Sequence, residues 1–205
     1  MIALGTSDIG AHIFSELAEG RSSDPCNGYC QPALPVDLTI RDARRDDVGL
    51  IFGWILELAE YEHGRDQVAG TAELLEDALF GPAPSAEAVI AEARSDPGLV
   101  WQPTGFALFH QTFSTWECRP GIWLEDLYVP PAHRRSGVGG ALLAHVAKIT
   151  LARGHTRLEW AALDWNEPAL RFYAKVGAAR LDEWVLHRLD GTAIDRVAAG
   201  SGPVG

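Results

Sequence analysis

The sequence predicts a mixed α/β domain, one sheet of short strands flanked by helices, and the spacing of its apolar residues carries that reading. In some stretches apolar residues alternate with polar ones, and in others they recur every three or four positions. Glycine, proline and capping residues separate the two kinds of stretch. In chain order the pattern reads β-α-α-β-β-β-α-β-α-β, with no internal repeat and no clear second domain.

Residues 1–35 show no sustained periodicity and end in a Pro/Gly/Cys-rich stretch, so they read as an extension to a domain spanning 36–205. At Val36 the character changes: Val36, Leu38 and Ile40 alternate with Asp37, Thr39 and Arg41, as in a half-buried strand. A helix follows with Asp46 and Asp47 in its first turn, where negative charge suits the helix dipole. Its apolar residues Val48, Ile51, Phe52, Ile55, Leu58 and Ala59 form one stripe. Thr71 can cap a second, short helix that Gly81-Pro82 stops. Strand periodicity returns over 86–92, 105–113 and 122–129, joined by turn-rich segments at Ser95-Asp96-Pro97-Gly98 and Arg119-Pro120-Gly121. A glycine-rich loop over 134–140 opens an apolar helix that runs to about Arg153, and Gly154 ends it. A strand over 156–163 precedes a helix capped by Asn166, with Pro168 in its first turn and Gly177 at its close. A last strand is expected over 184–189, with Asp190-Gly191 as its turn.

With 205 residues, 47% of them hydrophobic, the chain can bury a real core. Its apolar runs are short and broken by charge, so no membrane span is expected. No basic-then-apolar leader with a small-residue cleavage site is visible. Cys26 and Cys30 could pair or bind metal, but no second Cys/His pair stands at ligand spacing, and Cys118 leaves an odd count. A reduced, cytoplasmic protein without metal is therefore expected. The net charge of −11 argues against nucleic acid as the main partner and favours cationic partners or plain solubility. Residues 55–80 carry seven acids against one arginine, whereas 130–160 carry five basic side chains against one acid. The first region could attract a cation and the second an anion, although both could equally be solvated helix faces.

Three segments carry chemistry. In Arg134-Arg135-Ser136-Gly137-Val138-Gly139, between a strand and a long helix, the glycines let backbone N–H groups converge on an anion. The helix dipole and two arginines add to this, so the loop is expected to hold a pyrophosphate. No Gly-Lys-Ser/Thr follows it, and no full G-x-G-x-x-G with a later acidic residue is present, which disfavours nucleotide hydrolysis and hydride transfer. In Trp123-Leu124-Glu125-Asp126-Leu127-Tyr128-Val129 two acids interrupt an apolar strand, and strict alternation sends Glu125 and Asp126 to opposite faces. Such acids are costly unless they are paired or face a wet cavity; loop capping or an arginine partner is the alternative for each. The third segment runs from Asp164 to Ala178, where Leu170, Tyr173 and Ala174 stand at helical spacing. From its residues alone, Tyr173 reads as a packed core tyrosine.

Taken together, the R-x-x-G-x-G loop and the later W-N-E-P-A-L-R-F-Y-x-x-x-G-A resemble the GNAT superfamily of acetyl-CoA-dependent N-acetyltransferases. Leu56–Glu62 (L-E-L-A-E-Y-E), L-E-D-L-Y-V and W-N-E-P are similar to its diamine and thialysine acetyltransferase branch, and the likeness covers roughly 36–190. The resemblance implies a mixed, mostly antiparallel sheet with strands splayed at the acetyl-CoA site. It implies acetyl-CoA as cosubstrate, a small cationic amine as acceptor and a homodimer. It assigns the pyrophosphate to Arg134, Arg135, Gly137, Val138, Gly139 and Gly140, and the pantetheine arm to the backbone of Leu127, Tyr128 and Val129. Asn166 then contacts the cofactor, Tyr173 is the general acid, and Glu62, Glu125 and Asp126 line the acceptor side with Trp116. Two departures stand out. The 114–121 loop is shorter than in the animal diamine enzymes, with no matching aspartate beside Trp116, and the basic pair after the family tyrosine is Lys175-Val176.

Mechanistically, an alkyl ammonium of pKa roughly 10.4 must lose a proton before it attacks a thioester. Glu125 is the expected base, a backbone N–H near Leu127–Val129 the expected oxyanion donor, and Tyr173 the expected proton donor to the thiolate. The competing expectations are an acetyltransferase of peptide or protein amines and a non-catalytic acetyl-CoA sensor.

Overall fold

Strand β1 (Asp37–Asp42) opens the part of the chain described by the computed structural model, residues 37–200. The 1–35 extension, Val36, Cys26 and Cys30 lie outside it. The chain divides into two compact units between Leu158 and Glu159.

In the first unit a 3-10 turn at Arg45–Asp47 leads into helix α1 (Val48–Tyr61). Asp47 does more here than meet a dipole. Its carboxylate accepts from both terminal nitrogens of Arg41 at 2.7 and 2.9 Å and from the Arg44 backbone N–H at 2.7 Å. Arg41 above all holds that carboxyl below its ordinary pKa. Thr71 caps helix α2 (Ala72–Phe80) by accepting from the Leu74 N–H at 3.3 Å. Strands β2 (Glu87–Arg94), β3 (Gln102–Ser114) and β4 (Arg119–Tyr128) follow, each antiparallel to its predecessor, with β2 antiparallel to β1. Helix α3 (Val138–Ala152) comes next, and two residues, Leu158–Glu159, form β5 and complete the order β1-β2-β3-β4-β5.

Helices cover both faces of this sheet. On one, Ile51, Trp54 and Leu79 bury against Ala88, Ile90, Phe106, Leu108 and Tyr128. Trp54 stacks on Phe106 with ring centroids 5.9 Å apart. Alternation sends Gly105 to the other face, under α3. A Cβ there would stand 2.7 Å from the Tyr128 carbonyl oxygen, 3.2 Å from Val138 Cγ1 and 3.3 Å from Leu142 Cδ1. Only glycine lets α3 sit this close to the sheet.

The second unit holds helix α4 (Glu167–Lys175), capped by Asn166 Oδ1, which accepts from the Ala169 N–H at 3.4 Å. A Glu167–Arg171 pair at 3.0 Å spans one turn of it.

Several sequence expectations are corrected. The strand over 156–163 shrinks to Leu158–Glu159. No strand forms over 184–189, where Trp184, Val185 and Leu186 are consecutive apolar residues without the required alternation. Beyond it, Gly191–Ala198 forms helix α5 where only a turn at Asp190-Gly191 was expected. Ala193, Ile194 and Val197 carry its helical spacing. The β3–β4 hairpin turns at Thr115–Cys118, with Cys118 left-handed at φ 51°, and Arg119-Pro120-Gly121 belong to β4.

Candidate active site

The β3–β4 ladder ends at the Phe106–Tyr128 pair, after which the chain leaves the sheet at Val129. A 3-10 turn at Pro131–His133 then carries it into the glycine loop. Arg135 and Gly137 are left-handed, at φ 64° and 86°. Such departures from right-handed backbone turn nearby N–H groups toward a common concavity. Gly137 is the N-cap of the fifteen-residue helix α3, so the positive end of its dipole opens here. A Cβ built on Gly137 or Gly140 would meet nothing within 4 Å, and one on Gly139 only Val129 Cγ2 at 3.8 Å. This unobstructed backbone fits a pyrophosphate. Arg135 is exposed at the loop, whereas Arg134 is turned inward. Its Nε donates to the Val129 carbonyl at 3.0 Å, and its guanidinium lies 5.0 Å from the Tyr61 ring and 5.9 Å from the Tyr128 ring.

The acidic strand differs from the expectation of strict alternation. Leu108 pairs with Asp126 and Phe109 with Leu124, so Glu125 is the extra residue of a β-bulge. The bulge brings Glu125 and Asp126 to one face. Asp126 lies opposite Leu108, whose face packs under α1, and Glu125 bonds to Trp123, which pairs with His110 on the same face. Glu62, the C-cap of α1, completes the cluster. Burial first, then the charges of Glu125 and Glu62, push the Asp126 carboxyl up to about 6. Burial also pushes Glu62 up. The negative charges of Glu125 on the same strand and of Glu62 at the end of α1 thus both act on the Asp126 carboxyl.

Glu125 is held from one side. Its Oε2 accepts from Trp123 Nε1 at 2.8 Å and lies 3.9 Å from His110 Nε2. The other ring nitrogen of His110, Nδ1, lies 3.2 Å from the Gln111 carbonyl oxygen. Trp116 stands on the hairpin turn, 85% exposed. In the second unit Tyr173 packs between aromatic neighbours, its ring centroid 4.9 Å from that of Trp160 and 5.3 Å from that of Phe172. Asn166 belongs to the same unit and caps α4.

Sequence reasoning missed His110, Tyr61 and Glu57. His110 stands in a strand like any partly exposed polar residue, and only the register that sets it opposite Trp123 brings it to Glu125. Glu57 lies seventy-one positions from Tyr128, whose hydroxyl donates to it at 2.8 Å.

Residues 23–178 match the acetyltransferase (GNAT) family. Thialysine N-epsilon-acetyltransferase of Bos taurus is 39% identical over 164 residues, covering 78% of this chain and 96% of that protein. Spermidine/spermine N(1)-acetyltransferase-like protein 1 of Homo sapiens is 30% identical over 156 residues, 74% of this chain and 22% of that protein. Among solved structures, an integron cassette protein from the mobile metagenome of V. cholerae superposes with a TM-score of 0.62 at 24% identity, covering 78% of this chain and 97% of that one.

Proposed function

The chain belongs to the GNAT family of N-acetyltransferases, which use acetyl-CoA as cosubstrate, and on that premise we propose that its acceptor is a small lysine-like or polyamine cation. The observation that carries this reading is the Glu62–Glu125–Asp126 cluster, in which mutual repulsion is relieved when a cation enters. Relatives named for thialysine and for spermidine and spermine support the same acceptor class.

The 134–140 loop and the N-terminus of α3 would hold the pyrophosphate, and the backbone at Leu127–Val129 the pantetheine arm. Bound acetyl-CoA supplies an activated thioester. The carboxylate cluster orients the ammonium, and Glu125 lies where its proton leaves. A backbone N–H near Leu127–Val129 holds the developing oxyanion. Tyr173 gives the departing thiolate its proton, and Asn166 positions the cofactor from the start of α4. Fixing both reactants in one site removes much of the entropic barrier of a bimolecular reaction.

Thiol release from acetyl-CoA tests this against thialysine, lysine, ornithine, putrescine, spermidine, spermine and a neutral amine. Turnover of a cationic amine that falls about 100-fold in Tyr173→Phe supports the reading. Acetyl-CoA binding without turnover of any of them overturns the acceptor class.

A further inference from the structure

We infer that His110 is a further catalytic residue, a general base whose Nε2 takes the acceptor's proton in concert with Glu125. The inference rests on the amine-acetyltransferase reading above and adds a group to it. A carbonyl oxygen can only accept, so His110 Nδ1, 3.2 Å from the Gln111 carbonyl, must carry the ring proton. In the neutral ring Nε2 is then an acceptor, and it faces Glu125 Oε2 at 3.9 Å. Two acceptors at that separation make no direct hydrogen bond. They are spaced instead to share a donor between them, as an ammonium N–H would be.

The arrangement is braced. Trp123 Nε1 donates to the same Glu125 oxygen at 2.8 Å, which favours the orientation that faces His110. His110 is partly exposed, its side chain at 38%, and can pass a proton to solvent. The other charged groups of the carboxylate cluster are Asp126 from β4 and Glu62 from α1. From β2, Glu87 pairs opposite Phe109, but Arg153 holds it at 2.6 Å.

The protons balance. One N–H bond of the ammonium breaks, its proton goes to Nε2, and the freed lone pair attacks the thioester carbon. The C–S bond breaks and the thiolate takes a proton from Tyr173. The nitrogen loses a second proton as the amide forms, and through solvent that proton restores the tyrosine. His110 returns its proton to water, so one proton leaves per turnover.

The test compares parent enzyme, His110→Ala and His110→Gln on the best amine of the panel, each with and without added imidazole. The expected result is a kcat lower by about 100-fold in both variants, with KM for acetyl-CoA within about twofold of the parent. Added imidazole should restore part of the rate in His110→Ala, following the fraction of free base as pH changes. A variant kcat within about threefold of the parent overturns the assignment. So does a loss that imidazole does not rescue in a variant that still binds acetyl-CoA, since a purely structural histidine would behave that way. If the parent acetylates no amine, the acceptor reading fails and takes His110 with it; if the parent is active and the variants match it, His110 alone fails.

Discussion

The Tyr128 hydroxyl donates a 2.8 Å hydrogen bond to Glu57, tying the last paired residue of β4 to the middle of α1. Tyr128 is 4% exposed, and Arg134 rests against its ring and that of Tyr61. The strand that precedes the glycine loop, the loop's first arginine and the helix that ends at Tyr61 are therefore one connected assembly.

Tyr128→Phe should cost about 1–2 kcal/mol, because it removes a hydrogen bond to a charged group while keeping the ring. Burial, then the Glu57 hydrogen bond, push the Tyr128 hydroxyl up to about 12. A raised value in the folded state means stability that is present below about pH 10 and lost as pH rises toward 12. Melting temperatures of parent and variant should accordingly converge across that window. A constant difference would contradict the hydrogen bond's role.

Asp126→Asn should stabilise the protein at neutral and alkaline pH while weakening the acceptor site. The folded carboxyl sits at about 6, against roughly 3.9 in an unfolded chain. Its contribution is thus fully present below about pH 4 and is lost as pH rises through 6, on the order of 3 kcal/mol. The variant should melt higher than the parent at about pH 8 and level with it near pH 4. A variant that melts lower at both pH values would show that Asp126 is engaged by a partner rather than repelled.

Arg135 holds a left-handed conformation, φ 64°, in the glycine loop. Arg135→Gly and Arg135→Ala remove the same charge, but only glycine accepts that backbone without steric cost. Both should raise KM for acetyl-CoA, more at low salt than at high, and the glycine variant should be the more stable by about 1 kcal/mol. An unchanged KM in both would remove Arg135 from the cofactor site.

Gly105→Ala should destabilise by about 1–3 kcal/mol, since its Cβ would press on the Tyr128 carbonyl and on two side chains of α3. A thermal melt reads this directly, and a neutral result would mean that α3 can lift from the sheet.

Much of this was readable from local pattern. The stripe through Val48, Ile51 and Ile55 and the Thr71 and Asn166 caps are set by neighbours in sequence and appear where periodicity and capping chemistry put them, whereas the glycine loop expected over 134–140 ends at Gly137, with Gly139 and Gly140 already in α3. The bulge at Glu125 was not readable, because two-versus-one pairing depends on Phe109 and Leu108 of another strand, sixteen and seventeen positions away. The same is true of His110, which meets Glu125 only through that register. At 184–189, β-prone residue types stood without a period, and composition outweighed pattern in the expectation.

The proposed selection of a cationic amine by the Glu62–Glu125–Asp126 cluster is tested by the kcat/KM ratio of the best dication in the panel to butylamine. It should be measured in the parent and in the Glu62→Gln, Asp126→Asn double variant. The parent should favour the doubly charged acceptor by about tenfold or more, and the double variant should lose most of this preference while KM for acetyl-CoA stays put. A preference that survives the double variant, or a parent that treats both amines alike, would contradict it.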